Sequence, residues 1–386
     1  MPRYTIISTD CHAGPLHSAG GFLDYIDPAY RAALEEDMAQ TQDMKKMQEE
    51  LFAEELRAEQ DQSEAVVHGG RTGVADPDRH LKELALDGVV ADIIFPDGSQ
   101  QNGPPFLAAS GPGAKGANHA LQGVGAWAYN RWLADFTSHA PGRLGGIAVM
   151  TIHDIDEAVR QVRWAREHGL KGVLLPAGVG DLPFYHHPRY EPIWSVCEEL
   201  GLPLHTHVGS ATPDYGDLPG SSTIFATESM WFSHRPFWYL LWGAVFERHP
   251  KLQMVFAEQG ADWVPDLLQL LDFMYETYFA HEQKRLSLKP SEYWKRQCAV
   301  QAMFLTPRDV SARHVIGIEN MTWGSDYPHY EGSWPKSVSH LQKLLDGVPE
   351  NEVRALLATN AARIYGFDMD ELDAVAAALP LESCEI

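Results

Sequence analysis

The sequence predicts an α/β fold, a (β/α)8 barrel, because short apolar segments and amphipathic helices alternate along most of the chain. The strand-like segments are mostly apolar rather than alternating with polar residues, as in parallel strands buried on both faces. The intervals between them are long enough for crossover helices. A doubly wound open sheet is the alternative arrangement of the same elements.

Eight predicted strands follow one another along the chain. They cover residues 4–9, 89–95, 144–150, 172–176, 202–206, 252–257, 298–304 and 321–325. Predicted helices cover residues 77–87, 117–138, 154–168, 188–200, 236–248, 263–283 and 351–364. The 386 residues suffice for one barrel with insertions, so we expect a single domain over 1–386.

Two segments depart from a minimal barrel. Residues 31–70 have the highly charged pattern of a helical insertion after strand 1, which could be a solvated helix, a lid or a dimer contact. Residues 96–116 are rich in Gly, Pro and Ser and follow strand 2, so they are a candidate substrate loop. They contain no phosphate-binding glycine motif.

Charge excludes several classes of partner. The chain carries 53 acidic and 30 basic residues, a formal net charge of −23. Nucleic acid and anionic membrane surfaces would be repelled, whereas bound divalent cations would offset part of the charge. We therefore expect a small-molecule substrate.

The cysteines and the apolar segments predict a soluble cytoplasmic protein. Cys11, Cys197, Cys298 and Cys384 form no CxxC pair, so neither a zinc ribbon nor a disulfide framework is indicated. The N-terminus shows no signal-peptide pattern, and the longest apolar run, 237–246, is too short for a membrane span.

Polar side chains accompany the ends of separate predicted strands, where a barrel assembles its active site. Period-two alternation places Asp10 and His12 on one face of strand 1. Strand 5 carries a similar pair, of which His207 is nearer the C-terminal end, while His205 is more typical of the barrel core or of a supporting hydrogen bond. Two carboxylates are further candidates at strand ends: Glu258 follows strand 6 and Asp326 follows strand 8. Imidazole and carboxylate groups together indicate a metal site.

Several stretches resemble the amidohydrolase-related (amidohydrolase type 2) branch of the metal-dependent hydrolases. That branch includes decarboxylases acting on aminocarboxymuconate semialdehyde and on hydroxybenzoates. The stretches are STDCHAGP, AYNRWLADF, GLKGVLLP, YEPIWSVCEELGLPLHTHVG, RPFWYLLWGAVFERHPKLQMVFAEQGADWVP, PSEYW and MTWGSDYPHYEGSWP. The resemblance covers about residue 4 to about residue 368 and implies a (β/α)8 barrel with its site on the C-terminal face.

By position, the resemblance implies metal ligands at Asp10, His12, His207 and Asp326. The chain departs from the simplest family pattern in two places. Asp10 stands where many members have the first histidine of a His-x-His pair, and Glu258 stands where many have a strand-6 histidine. The predicted site is therefore unusually rich in oxygen ligands.

Two further histidines are candidates. The segment PDRHLKELALDG resembles the family stretch in which a basic residue faces the active site, and His80 takes that place here. It would be a ligand, a catalytic group or a surface histidine of an amphipathic helix. His329 lies three residues beyond Asp326 and could also reach the ion. Asp326, Glu258 and His80 are the candidate catalytic residues.

The predicted ligands contain no thiolate, which suits Mn²⁺, Fe²⁺ or Zn²⁺, and their carboxylate content favours manganese or iron. Five to seven candidates exceed the need of one tetrahedral ion. One or two bound ions are therefore expected, and a carboxylate-bridged two-metal site is a hypothesis.

The main functional hypothesis is a metal-dependent enzyme that hydrolyses or decarboxylates a small carboxylate or carbonyl compound, with a slight preference for hydrolysis. Asp326 would take the proton of metal-bound water in hydrolysis. A dinuclear iron or manganese hydroxylase of a small amine or amino acid is the alternative. A catalytically silent subunit is a third possibility. The chain would form a homo-oligomer or pair with a related subunit, for which the Trp-rich stretch 230–242 is either an interface or a core-packed helix.

Overall fold

The protein is described from a computed structural model. The residues that it describes are 4–16, 20–39, 72–96, 103–106, 118–209, 215–216, 218–303 and 305–379. Of the predicted insertion 31–70, residues 31–39 are helical and residues 40–70 lie outside the described part. Most of the predicted substrate loop 96–116 also lies outside it.

Eight strands form one parallel sheet in chain order, which confirms the predicted barrel. They are β1 Ile7–Ala13, β2 Ala91–Pro96, β3 Leu144–Val149, β4 Gly172–Leu174, β5 Leu204–His207, β6 Met254–Ala257, β7 Cys298–Gln301 and β8 Met321–Thr322. Each pairs with the next, from Ile7 beside Ala91 to Gln301 beside Thr322. All eight overlap the strands predicted from sequence.

The backbone beyond β8 brings the end of the sheet back to β1. The amide of Thr9 donates to the carbonyl of Trp323 at 2.9 Å, and the amide of Asp326 donates to the carbonyl of Asp10 at 2.9 Å. The amide of His12 donates to the carbonyl of Tyr327 at 2.6 Å. These bonds place the segment carrying Asp326 directly against the strand carrying Asp10.

Alternation along the strands divides the apolar core into two clusters. On β6, Met254 and Phe256 belong to the larger cluster, which contains the helix side chains around the barrel. Val255 and Ala257 belong to a second cluster with barrel residues of β1, β2 and β3 and with the C-terminal helices. One face of each strand therefore packs under the helices, and the other face fills the barrel.

Besides the helical residues 31–39, thirteen α-helices lie in the described part of the chain. They are α1 Pro77–Leu86, α2 His119–Ser138, α3 Ile155–Glu167, α4 Glu191–Leu200, α5 Ser221–Trp242, α6 Val245–Arg248, α7 Val264–Glu276, α8 Pro290–Gln297, α9 Pro307–Ile316, α10 Ser337–Leu344, α11 Glu350–Arg354, α12 Asn360–Tyr365 and α13 Met369–Ala378. Side-chain caps fix several starts; for example, Asp76 accepts from the amide of Arg79 at the start of α1.

Helix α5 corrects the predicted start of a helix at residue 236. The structure places Pro236 inside a 22-residue helix that begins at Ser221. Proline removes a backbone donor and normally marks a helix start or break, which explains the error. Phe237, Leu240 and Leu241 are buried, whereas Trp231 is exposed. The C-terminal part of the Trp-rich stretch is therefore packed in the core.

Two observations concern the cysteines and membrane spans. Cys11, Cys197 and Cys298 are buried and form no disulfide, while Cys384 lies outside the described residues. None of the helices in the described ranges has the length and apolar character of a membrane span.

Candidate metal centre

Strand β1 contributes the first two candidate ligands from within the strand. Asp10 and His12 are fully buried, two residues apart on one strand face. His12 Nδ1 lies 3.0 Å from the carbonyl oxygen of Pro96. A histidine that donates one ring N–H to a backbone carbonyl presents its other nitrogen to a metal. His12 Nε2 lies 3.6 Å from Asp10 Oδ1 and 3.1 Å from Asp326 Oδ1.

His207 is the last residue of β5 and shows the same arrangement. Its Nδ1 lies 3.0 Å from the carbonyl of Val208 and 3.0 Å from Glu258 Oε2. Its Nε2 lies 3.3 Å from Asp10 Oδ1. Burial lowers the pKa of His207, but the Glu258 and Asp10 carboxylates outweigh it and raise this pKa well above the usual value. The imidazole thus sits in a strongly negative environment.

Asp326 follows β8 by four residues and is fully buried. Its Oδ1 lies 3.1 Å from His12 Nε2 and 3.0 Å from His329 Nδ1. Burial alone would raise the pKa of Asp326, yet His329 and His12 lower it below its usual range. The carboxylate is therefore ionised and points between two imidazoles.

Glu258 immediately follows β6. Its backbone amide donates to Gln301 Oε1 at 2.5 Å, which ties it to the end of β7. Burial raises the pKa of Glu258, partly offset by the charge of His207. Glu258 and Asp326 both have a φ of +57°, a left-handed conformation that non-glycine residues rarely adopt. Such backbone strain is concentrated at functional sites.

The turn after Asp326 brings a further carboxylate that the sequence reasoning missed. The amide of His329 donates to the carbonyl of Asp326 at 2.8 Å, and the amide of Ser333 donates to the carbonyl of Ser325 at 2.9 Å. Glu331 lies between His329 and Ser333 in this turn. Its pKa is raised to about 7, chiefly by burial. The motif DYPHYEG holds this glutamate five residues beyond Asp326, but only the turn geometry directs it towards the site.

The ligand atoms fall into overlapping groups whose members lie within 4.8 Å of one another. The groups are Asp10, His12 and His207; His12, Asp326 and His329; and Glu258, Asp326, His329 and Glu331. Asp10 Oδ2, His12 Nε2 and both carboxylate oxygens of Asp326 are buried and make no hydrogen bond of good geometry. Buried polar atoms seldom remain unbonded, so these fit a divalent cation that would use them as ligands.

The structure does not bring His80 to this cluster. Its Nε2 lies 2.6 Å from Asp92 Oδ2, and its Nδ1 lies 3.0 Å from the carbonyl oxygen of Gly73. Both ring nitrogens are therefore engaged, and the side chain is fully buried rather than on the surface. His80 belongs to neither the metal ligands nor the surface, and we remove it from the candidate ligands and catalytic groups. The residue spacing along α1 could not reveal that the partner of His80 is Asp92 on β2.

His205 occupies the barrel interior below His207. Its Nε2 lies 3.0 Å from the hydroxyl of Tyr365, and burial lowers its pKa to about 3. A Cβ at Gly172 would lie 2.8 Å from its Nδ1, so the absence of a side chain there makes room for the ring. This neutral, packed histidine agrees with the core role expected for it.

Comparison with known proteins places this geometry in a family. The amidohydrolase family profile matches residues 96–367, which is more than half of the chain. A gamma-resorcylate decarboxylase from Rhodococcus jostii is 24% identical over 261 residues, covering 62% of this chain and 75% of that protein. A gamma-resorcylate decarboxylase from Rhizobium radiobacter is 23% identical over 264 residues with the same coverage.

Solved structures show the same fold. The 5-carboxyvanillate decarboxylase from Sphingomonas paucimobilis has a TM-score of 0.65 at 19% identity, covering 94% of this chain and 99% of that one. A dihydroxybenzoic acid decarboxylase from Polaromonas, solved with bound manganese, has a TM-score of 0.62 at 16% identity, covering 96% and 99%. Together with the family profile, the barrel and its ligand cluster, these likenesses show that the chain belongs to the amidohydrolase family and is a metal-dependent enzyme of that superfamily.

Proposed function

We propose that this enzyme is a metal-dependent carboxy-lyase that removes CO₂ from a small hydroxylated aromatic carboxylate. The observation that carries the proposal is the buried ligand cluster at the barrel mouth in a chain whose sequence relatives include decarboxylases of such compounds. These relatives favour decarboxylation over hydrolysis, which was slightly preferred from the sequence.

Asp10, His12, His207 and Asp326 would hold the catalytic ion. Their nitrogen and oxygen donors without thiolate suit Mn²⁺, and the Polaromonas relative was solved with bound manganese. When bound, the ion would supply positive charge to hold the substrate's carboxylate and a neighbouring oxygen. His12 and His207 keep their ligand nitrogens aimed at this position, because backbone carbonyls hold their other nitrogens.

Decarboxylation breaks the bond between the ring carbon and the carboxylate carbon. The electron pair stays on the ring carbon, CO₂ departs and a proton must reach that carbon. We assign this proton transfer to Glu258, which lies at the mouth with 8% of its surface exposed. His207 Nδ1 lies 3.0 Å from Glu258 Oε2, so the carboxyl group is held beside a ligand of the proposed ion.

The test is a substrate panel with the Mn²⁺-loaded chain. We expect CO₂ release and loss of the substrate's ultraviolet absorbance with 2,6-dihydroxybenzoate or another hydroxybenzoate, abolished by a chelator. Aryl esters and amides test hydrolysis, and an oxygen electrode tests the hydroxylase alternative. Turnover of an ester or amide, or substrate-dependent O₂ uptake, without CO₂ release from any hydroxybenzoate would refute the proposal. Absence of every activity in the metal-loaded chain would favour the silent-subunit alternative.

A further inference from the structure

A second group of ligand atoms lies beside the proposed catalytic ion position. Its four members offer one ligand atom each, and these atoms lie within 4.8 Å of one another. They are Glu258, Asp326, His329 and Glu331. Asp10 and His207, which define the first group with His12, do not belong to this one. The two groups therefore surround different points.

Asp326 is positioned between the two groups. It is fully buried, and neither carboxylate oxygen makes a hydrogen bond of good geometry. Its Oδ1 lies 3.1 Å from His12 Nε2 on one side and 3.0 Å from His329 Nδ1 on the other. A buried carboxylate whose oxygens lack hydrogen bonds can bridge two ions about 3.5–4 Å apart.

The turn that supplies His329 and Glu331 is built tightly over Asp326. The amide of Gly332 donates to the carbonyl of His329 at 3.3 Å, and Ser333 bonds back to Ser325. A Cβ at residue 332 would lie 3.0 Å from the Cβ of Asp326 and would collide with the carbonyl of Ser325. The backbone at Gly332 thus approaches Asp326 as closely as a glycine permits. This close approach keeps the side chains of His329 and Glu331 near Asp326.

Charge agrees with a second cation. Asp10, Asp326 and Glu331 are the carboxylates that the two ions would contact, and the ion pairs that the described residues provide for Asp10 and Asp326 come from histidines. Histidines bind metals as neutral ligands, so they would not offset these charges in the metal-bound enzyme. When the three carboxylates are ionised, one divalent cation leaves one excess negative charge, which a second cation would offset.

We propose that Asp326, His329 and Glu331 hold a second divalent cation, with Asp326 shared between the two ions. This site goes beyond the proposed decarboxylation, which requires one ion. The two carboxylates and one imidazole suit Mn²⁺ or Fe²⁺ and leave coordination positions for water or a substrate oxygen. Glu258 forms the adjacent wall, and because its Oε2 lies against His207 we do not count it among the ligands.

The experiment measures Mn²⁺ binding to the metal-free full-length chain. Elemental analysis after equilibration gives the stoichiometry, and electron paramagnetic resonance detects magnetic coupling between neighbouring Mn²⁺ ions. We expect two equivalents and a coupled spectrum for the natural chain. Glu331→Gln and His329→Gln should each retain one equivalent with an uncoupled spectrum. The matched control is Glu371→Gln, an exposed residue in the first turn of α13, and it should retain two equivalents.

One equivalent in the natural chain at saturating Mn²⁺ would overturn the proposal, as would two coupled ions in both variants. Thermal unfolding of each variant distinguishes loss of the site from loss of the fold. The outcome is separate from that of the proposed reaction, because stoichiometry and magnetic coupling are measured without substrate. A chain that binds two ions but releases no CO₂ would retain this inference and refute the carboxy-lyase.

Discussion

His207 Nδ1 lies 3.0 Å from Glu258 Oε2, so the ends of β5 and β6 are joined by a buried contact between an imidazole and a carboxylate. The same nitrogen lies 3.0 Å from the carbonyl of Val208. The carbonyl of Val208 therefore still orients the His207 ring when Glu258 is altered. Mutation of Glu258 can thus separate the proposed proton transfer by Glu258 from the proposed metal binding by His207.

Replacing Glu258 by glutamine should reduce turnover and leave the first ion in place. The amide preserves the shape of the side chain but cannot carry the transferred proton, and general acid–base groups contribute about 10²–10⁴-fold. We expect kcat to fall at least about 100-fold with Mn²⁺ content unchanged. Steady-state kinetics and elemental analysis on one preparation test this. Full turnover in the variant would exclude Glu258 from proton transfer.

Asp326→Asn should lose metal. The change removes a charge from the carboxylate that lies against both His12 and His329, and an amide is a much weaker metal ligand. We expect less than one equivalent of Mn²⁺ per chain after dialysis and no measurable activity. Asp346→Asn, an exposed acid, serves as the control. Normal metal retention in the Asp326 variant would mean that this carboxylate is not a ligand.

His80→Leu should destabilise the protein without changing its metal content. The substitution leaves the fully buried carboxylate of Asp92 without its 2.6 Å imidazole partner. Leaving a buried charged group without its partner costs about 3–5 kcal/mol. Urea unfolding measures the loss, and elemental analysis follows the ion. A folded, normally stable variant depleted of metal would restore His80 to the ligand set.

Asp87→Asn should stabilise the protein at alkaline pH. Burial raises the pKa of Asp87 from its ordinary 3.8 to about 7, opposed by hydrogen bonds from Ser337. The folded state therefore prefers the protonated acid. The contribution of Asp87 to the free energy of unfolding is fully present below about pH 4 and is lost as the pH rises through about 7.

An asparagine at position 87 keeps an oxygen for the amide of Ser337, which donates to Asp87 at 2.8 Å, and never ionises. We expect the variant to exceed the natural chain by about 2 kcal/mol at pH 8, with the difference shrinking towards pH 4. Denaturant unfolding across this range is the measurement. A difference that grows on acidification would contradict the assigned cause.

Gly324→Ala should weaken metal binding by displacing Asp10. A Cβ at this position would lie 2.6 Å from the Cβ of Asp10 and collide with Gln301. Overpacking of this kind costs about 1–3 kcal/mol. Gly123→Ala is the matched control, since a Cβ there meets nothing within 4 Å and alanine favours its helix. Calorimetric Mn²⁺ titration should show weaker binding in the first variant only.

Prediction from sequence succeeded where the signal is local. Runs of apolar residues located all eight strands, and period-two alternation put Asp10 and His12 on one strand face. It failed where the decisive partner is distant in sequence. His80 was misassigned because its carboxylate partner lies on β2, and Glu331 was missed because it reaches the mouth only through the turn after Asp326.

The positions of the strands along the chain, their apolar character and the identity of most candidate ligands follow from the sequence by itself, because they depend on residue type and short-range periodicity. The order of the strands in the sheet was decided by the tertiary structure. Tertiary structure alone decided which ligand atoms converge and how close Asp326 comes to both His12 and His329. It also decided which ring nitrogen of each histidine lies against a backbone carbonyl. These depend on how β8 closes against β1 and on two residues with left-handed backbone. Metal chemistry needs atoms within a few ångströms of one another, and the whole barrel must close before such distances are set.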